Sequence, residues 1–311
     1  MQNITKTVVN EFLLVGFLGF HKFYNIIFFV VLLSYIICIF GNTAIIVLVR
    51  TYPALHIPMY FFMTIFAVLE IMFSSVTFPK LLSILVNCDY RISMIGCFTQ
   101  MYVLHALGET ECFLLTLMAL DRYLAINNPL RYSTIMNNTF CFVLCSLSWI
   151  AGFIFPFVPA ILTILLEYCG PNKIDKFFCD FAPLQNLACS DPMISNYATT
   201  SITITSVISP FVIIVVLYIQ IIRTVLKIDS SPGKKKAFST CSSHLIVASL
   251  FYVTGIIVYI RPRGSHYDKF LALMYTVVTP MLNPFIYTLR NTDVKNAFRK
   301  LIRSLQKHVS F

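Results

Sequence analysis

Seven long apolar stretches fill most of this chain, and little that is soluble can be built from them. They run over Asn25–Val49, Met59–Leu85, Ser93–Ala125, Thr139–Leu165, Tyr197–Leu226, Ala237–Ile260 and Phe270–Leu289. A helix needs about 20 mostly apolar residues to cross a bilayer, and every stretch reaches that length. Buried helices of soluble proteins seldom do. Of the 311 residues 58% are hydrophobic and only 12% charged, against about 25% charged in an average soluble domain. Mean hydropathy is +0.80. The expected fold is an all-α membrane protein. Residues 1–24 precede the bundle, 25–289 form it, and 290–311 make a tail on its other side. The first stretch starts too late and runs too long for a cleaved leader, so it is expected to act as a signal-anchor.

Lys and Arg in short loops set the orientation. With seven spans the termini lie on opposite sides. Fourteen of the 23 basic residues, among them Arg122, Lys234, Lys235, Lys236, Arg299 and Lys300, fall on the side of the C-terminus. That side is expected to be cytoplasmic, the N-terminus extracellular, and the location the plasma membrane. The net charge of +10 then faces anionic inner-leaflet lipid, and no nucleic-acid partner is needed to explain it.

Cysteines test this orientation. Cys97, Cys169, Cys179 and Cys189 fall on the expected outside, where disulfides persist. Four cysteines allow three pairings; each of them staples the loop of about Leu166 to Asn196 over the bundle mouth. Cys38, Cys112, Cys141 and Cys145 lie in apolar helices, and Cys88 has no evident partner. Of two sequons, Asn3-Ile4-Thr5 lies outside and is a glycan acceptor candidate, whereas Asn137-Asn138-Thr139 lies inside. Beyond the last span, Val294, Phe298, Leu301, Ile302 and Leu305 recur at helical spacing among Lys295, Arg299, Lys300, Arg303 and Lys307. This predicts an amphipathic helix lying on the inner leaflet. Ser230-Ser231-Pro232-Gly233 reads as a turn before the sixth span.

Two motifs carry chemistry. Asp121-Arg122-Tyr123 ends the third span; Arg122 keeps its charge at any relevant pH, and an adjacent carboxylate can hold or release it. Asn283-Pro284-Phe285-Ile286-Tyr287 lies near the inner end of the seventh, where proline breaks the hydrogen-bond ladder. Together with Leu55-His56-Ile57-Pro58-Met59-Tyr60-Phe61-Phe62, Met118 through Ile126, Pro129-Leu130-Arg131-Tyr132, Lys236-Ala237-Phe238-Ser239-Thr240-Cys241-Ser242-Ser243-His244-Leu245 and Pro280-Met281-Leu282 before Asn283, they make the whole chain resemble a rhodopsin-like G-protein-coupled receptor, and more narrowly an olfactory receptor. The short loop Arg261–Lys269 resembles the terrestrial-vertebrate class. The chain departs from the family pattern at Leu120, at Asn127-Asn128 and at Val253.

The resemblance implies a seven-transmembrane bundle with a short amphipathic C-terminal helix, and disulfides Cys97–Cys179 and Cys169–Cys189. It implies an activation switch of Asp121, Arg122, Tyr123, Tyr218, His244, Asn283, Pro284 and Tyr287. It implies a ligand cavity in the outer half of spans three, five, six and seven, with Leu104, His105, Gly108, Glu109, Ile202, Thr203, Ser206, Tyr252, Gly255, Ile256, Tyr259, Leu273 and Thr276 as candidate lining. The partners implied are a small volatile odorant, a heterotrimeric G protein of the olfactory stimulatory type that raises cAMP, and membrane lipid. A receptor for a non-odorant small molecule in another tissue is the alternative.

Intramembrane carboxylates are expensive and should face the bundle interior. Glu70 and Glu111 are expected to share a cation, sodium for example, or a proton. No other cofactor and no metal site is expected. Glu109 lies one helical turn from His105, toward the cavity or the fifth span. If burial keeps it protonated, it would donate to carbonyl odorants; if ionised, it would favour amines. His105 is expected to make a structural hydrogen bond. Transport would want a continuous polar path or paired broken helices, and an enzyme a catalytic set such as HExxH. The chain has none of these.

Overall fold

The computed structural model describes residues 9–17, 19, 21–228, 231–260, 273–290 and 292–309. Asn3 and the loop Arg261–Lys269 lie outside the described residues. Five helical segments among them are long and apolar enough to cross a membrane: His21–Thr51, Pro58–Asn87, Met94–Asn127, Asn138–Ile164 and Met193–Leu226. Two shorter apolar helices, Cys241–Gly255 and Thr276–Ile286, complete a seven-helix bundle.

The first three spans are unbroken helices, α1 (Tyr24–Thr51), α2 (Pro58–Asn87) and α3 (Met94–Asn127). Pro58 opens α2 where its missing N–H costs nothing. Cys88, at a φ of 52°, closes it in the left-handed region. Ser93 caps α3 by accepting from the Gly96 N–H at 3.1 Å. After the turn α4 (Tyr132–Ile135), the fourth span is two helices, α5 (Asn138–Ile154) and α6 (Phe157–Ile164), interrupted at Phe155-Pro156. Asn137 of the second sequon caps α5, its side chain accepting from the Phe140 N–H at 2.9 Å. A short helix, α7 (Phe181–Leu187), lies in the long loop. The fifth span joins α8 (Met193–Thr203) to α9 (Ser209–Leu226) through a π-helical turn at Ile204–Ile208. The sixth is α10 (Ser231–Ile260). The seventh is a π-helical turn, Met274–Val278, followed by α11 (Thr279–Arg290), and α12 (Thr292–Val309) follows.

Two glycines set how closely helices approach. A Cβ on Gly152 would sit 2.8 Å from the backbone N of Thr110, and one on Gly41 would sit 2.8 Å from Cβ of Pro284. Small residues at crossings are how helices pack in lipid, where no hydrophobic force pushes them together. The outward faces stay apolar: Phe29, Phe40, Phe142 and Val212 are all more than half exposed, as a lipid-facing surface requires. On α12, Val294 and Ala297 are buried, and Phe298 and Leu301 pack against the core. Arg299 and Lys300 face out. Tyr60 donates to Asp293 at 3.2 Å, tying this helix to α2. The side chains of Ile302 and Leu305 lie outside the described residues.

The sequence reading needs two amendments. The residues before the first span are not featureless. β1 (Glu11–Leu14) pairs antiparallel with β2 (Arg91–Ser93) and parallel with β3 (Lys173–Ile174), in the order β2-β1-β3. Strands of two to four residues carry no readable alternation. The stretch read as a turn at Ser231-Pro232-Gly233 is instead the first turn of α10, which begins six residues before the expected span. Proline suits the first helical position, and the lysines that follow are good helix formers, so the helix outruns its apolar part.

Candidate functional site

The loop between the fourth and fifth spans lies across one end of the bundle. Two disulfides hold it, Cys97–Cys179 to the start of α3 and Cys169–Cys189 within the loop. Gln100 on α3 accepts from the Cys179 N–H at 3.0 Å and donates to the Val76 carbonyl on α2 at the same distance. Next to the staple, Asp180 is buried and takes three hydrogen bonds. They come from Lys176 Nζ at 2.6 Å, from His105 Nε2 at 2.9 Å, and from the Phe181 N–H at 2.8 Å, which starts α7. Burial alone would raise the Asp180 carboxyl. The charge of Lys176 and the bond from His105 outweigh it and hold the carboxyl well below the usual carboxylate range. The ring of Phe181 packs on His105, centroids 4.3 Å apart. The loop therefore closes the bundle as a lid latched to α3.

Beneath the lid is a cavity of about 380 Å³. Leu104, His105, Gly108, Glu109 and Cys112 line it from α3, Phe251, Tyr252 and Gly255 from α10, and Phe178, Asp180, Phe181 and Gln185 from the lid. Thr199, Thr200, Thr203, Ile204, Val207 and Ile208 line it from the fifth span. Such a volume and a mainly apolar wall suit a small ligand. Of the sequence candidates, Leu104, His105, Gly108, Glu109, Thr203, Tyr252 and Gly255 come together here. Ile202 and Ser206 do not reach the wall. The π-helical turn inserts an extra residue per turn and rotates the face that the fifth span presents. Ser206 is thereby fully buried, donating to the Ile202 carbonyl at 2.8 Å. Leu273 packs into the core and Thr276 is buried in the seventh span, so neither lines the cavity. The side chains of Ile256 and Tyr259 lie outside the described residues.

Midway down, Asn283 on α11 donates to Glu70 on α2. Glu111 on α3 is buried close enough to Glu70 for charge on one to act on the other. One oxygen of Glu70 and the amide oxygen of Asn283 are buried with no partner. No grouping of three or more His, Cys, Asp or Glu that could hold a metal occurs among the described residues.

At the far end of α3, Arg122 pairs with Asp121 at 2.8 Å, and Tyr132 donates to the other oxygen of Asp121 at 2.6 Å. Tyr123 is half-buried beside them. Tyr218 on α9 meets His244 Nδ1 on α10 at 2.7 Å, and His244 Nε2 donates to the Leu115 carbonyl on α3 at 3.0 Å. A carbonyl can only accept, so the Nε2 position carries a proton. Three helices are thus joined next to Arg122. Pro284 packs on Gly41; the Tyr287 side chain lies outside the described residues.

A lidded cavity at one end of α3 and a latched arginine at the other is the layout of a receptor. The family model for olfactory receptors matches residues 31–305. The chain belongs to the olfactory receptor family. It is 43% identical over 306 residues to mouse (Mus musculus) Olfactory receptor 6E1, covering 97% of this chain and 98% of that one. It is 41% identical over 300 residues to human (Homo sapiens) Olfactory receptor 6N1, covering 96% of each. It is 42% identical over 306 residues to human Olfactory receptor 10A7, covering 97% of each. The protein is therefore a multi-pass membrane receptor and not an enzyme.

Sequence reasoning missed the lid's contribution to this receptor's cavity. Asp180 had a signal: it follows Cys179, so a staple from Cys179 to α3 pins it at the cavity mouth. Gln185, Thr199 and Thr200 had none, since their placement depends on how the loop folds back.

Proposed function

We propose that this receptor binds a small volatile organic molecule in the cavity under the lid and, when occupied, drives nucleotide exchange on a stimulatory G protein of the olfactory type, raising cAMP. The observation that carries this reading is the largely apolar cavity of about 380 Å³ under the lid. Few ligand atoms fit it, so affinity stays modest. The excess of Lys and Arg at the Arg122 end and the disulfides at the other support an extracellular N-terminus, with Asn3 as glycan acceptor, and a cytoplasmic C-terminus in the plasma membrane.

Phe251 and Tyr252 form part of the cavity wall. His244 lies eight residues further along the same helix, roughly 12 Å at helical rise. A ligand pressing on Phe251 and Tyr252 tilts α10, parts His244 from Leu115 and Tyr218, and frees Arg122 for the G protein. The carboxyl oxygens of Glu70 and Glu111 and the amide oxygen of Asn283 are the donor set of a hard cation, and they hold either sodium or a shared proton. The test is an odorant panel read with a cAMP reporter in cells expressing the receptor, backed by nucleotide exchange on purified G protein. Exchange without cAMP elevation would point to another G protein class, and solute flux in proteoliposomes would point away from a receptor.

A further inference from the structure

We infer that Glu109 selects the ligand's head group, and that this receptor prefers molecules donating a hydrogen bond, a hydroxyl or an ammonium, from a short apolar body. The inference rests on the cavity being the ligand site. It follows from where the buried polar groups of the wall spend their hydrogen bonds. Asp180 already accepts from Lys176, His105 and the Phe181 N–H. The two N–H groups of Gln185 are taken up by the hydroxyls of Thr163, Ser195 and Thr199, all within 2.8–3.2 Å. Thr199 and Thr203 donate to the carbonyls of Ser195 and Thr199. Glu109 differs: one of its carboxyl oxygens is buried with no partner. No lysine or arginine occurs among the described residues that line the cavity. Tyr252 also has an unpartnered hydroxyl, but that group lies beside Cys112 and Thr116, deeper than Glu109.

The neighbouring serine decides what Glu109 offers. Ser206 lies beside the Glu109 carboxyl, and its single proton is already given to the Ile202 carbonyl at 2.8 Å. A proton on Glu109 therefore has the Ser206 oxygen as its acceptor, and the second carboxyl oxygen stays bare. An ionised Glu109 leaves both oxygens accepting. In both arrangements, with the Ser206 proton kept on the Ile202 carbonyl, the acid retains an unengaged acceptor oxygen. A carbonyl, ester or ether cannot satisfy it; a hydroxyl or ammonium can.

The test uses the full-length receptor, with surface expression matched across variants, and series of alcohols, amines, ketones and alkanes on shared five- to nine-carbon skeletons. Readouts are cAMP potency and ligand-induced thermal shift of the purified protein. Alcohols or amines should exceed the matched ketones, and Glu109→Leu should cut that advantage by about tenfold for a hydroxyl and about a hundredfold for an ammonium. Glu109→Gln, which keeps an amide oxygen, should retain most alcohol potency and lose amine potency, which separates the two head groups. Ketones or alkanes as potent as their alcohols and amines, or an unchanged Glu109→Leu, would overturn the inference. If such responses vanish when Gly108→Trp or Thr203→Trp fills the cavity, the cavity still binds the ligand and only the role of Glu109 falls. If no series shifts the protein, or the responses survive both filling variants, the cavity reading falls with it.

Discussion

Replacing Asp180 with asparagine tests whether the lid is a latched element or a loop held by its disulfides alone. The side chain is 2% exposed and accepts from Lys176, His105 and the Phe181 N–H. Asparagine has nearly the same shape but brings an NH2 group against at least one of these donors and removes the charge that Lys176 faces. A hydrogen bond to a charged group contributes about 1.5–3 kcal/mol, and breaking a buried pair costs about 3–5. Lys176 keeps 23% of its side chain exposed, so it can turn to water and soften the loss. We therefore expect about 3 kcal/mol against the closed lid, a rise of roughly 150-fold in its open population. Amide hydrogen exchange reads this directly: Cys179, Phe181 and Leu184 should exchange about a hundredfold faster, while amides midway along α3 stay unchanged. The pH dependence has a definite sign. The folded carboxyl lies below its unfolded value, so its contribution is complete above about pH 4 and fades as pH falls toward the lower, folded value. Lid protection in the wild type should thus be flat from pH 5 to 8 and weaken in acid, and that acid loss should be absent from Asp180→Asn. Unaltered protection of Phe181 in the variant would refute the latch.

Other consequences are simpler to state. Arg122→Ala should abolish nucleotide exchange on the G protein while leaving ligand-induced thermal shift intact, since Arg122 lies roughly 25 Å along α3 from His105 at helical rise. Glu70→Gln and Glu111→Gln should each disturb activation, and the double change should cost less than the two singles combined; strict additivity in a signalling assay would count against a shared ion or proton. Gly152→Ala should lower thermal stability in detergent by about 2 kcal/mol, because the added methyl meets Thr110 backbone that has no room to move. Peptide mapping under non-reducing conditions should recover Cys97 joined to Cys179 and Cys169 to Cys189; recovery of Cys169 with Cys97 would contradict the lid as described.

What could be read from the chain alone divides along physical lines. Apolar runs mark spans because a backbone in hydrocarbon must satisfy its own hydrogen bonds, and helices do that locally. Hence α1, α2 and α3 fall within a few residues of the sequence reading. Glu109 was visible for a related reason, as an acid in an apolar run is costly unless it has a role. Which oxygen of Glu109 stays free was not visible. It depends on Ser206 facing α3, and Ser206 faces α3 because of the π-helical turn at Ile204–Ile208. One extra residue in one turn leaves composition and length untouched, yet it rotates every later side chain of the fifth span. The three-stranded sheet was hidden for the opposite reason, its strands being too short for any pattern. Nor could Gln185 and the threonines of α8 be assigned, since the loop brings them to the cavity only by folding over it.

On the proposed function, these placements favour α10 as the helix that moves. α3 is fixed along its whole length. A disulfide holds its start, Gln100 and His105 bind it to the lid, Thr110 abuts Gly152 on α5, and Asn127 at its end is hydrogen-bonded to Thr224 on α9. Any rigid displacement of α3 would break several of these at once. By contrast, three hydrogen bonds that tie α10 to its neighbours meet at one side chain and its turn: His244 with Leu115 and Tyr218, and Tyr218 with the Cys241 carbonyl. Two or three neutral hydrogen bonds contribute about 1 kcal/mol each. That is within what a small ligand can supply by binding the two states differently. On the proposed reading, ligand pressure at Tyr252 is spent on α10, and parting His244 from Leu115 and Tyr218 opens the bundle next to an arginine that α3 holds in place.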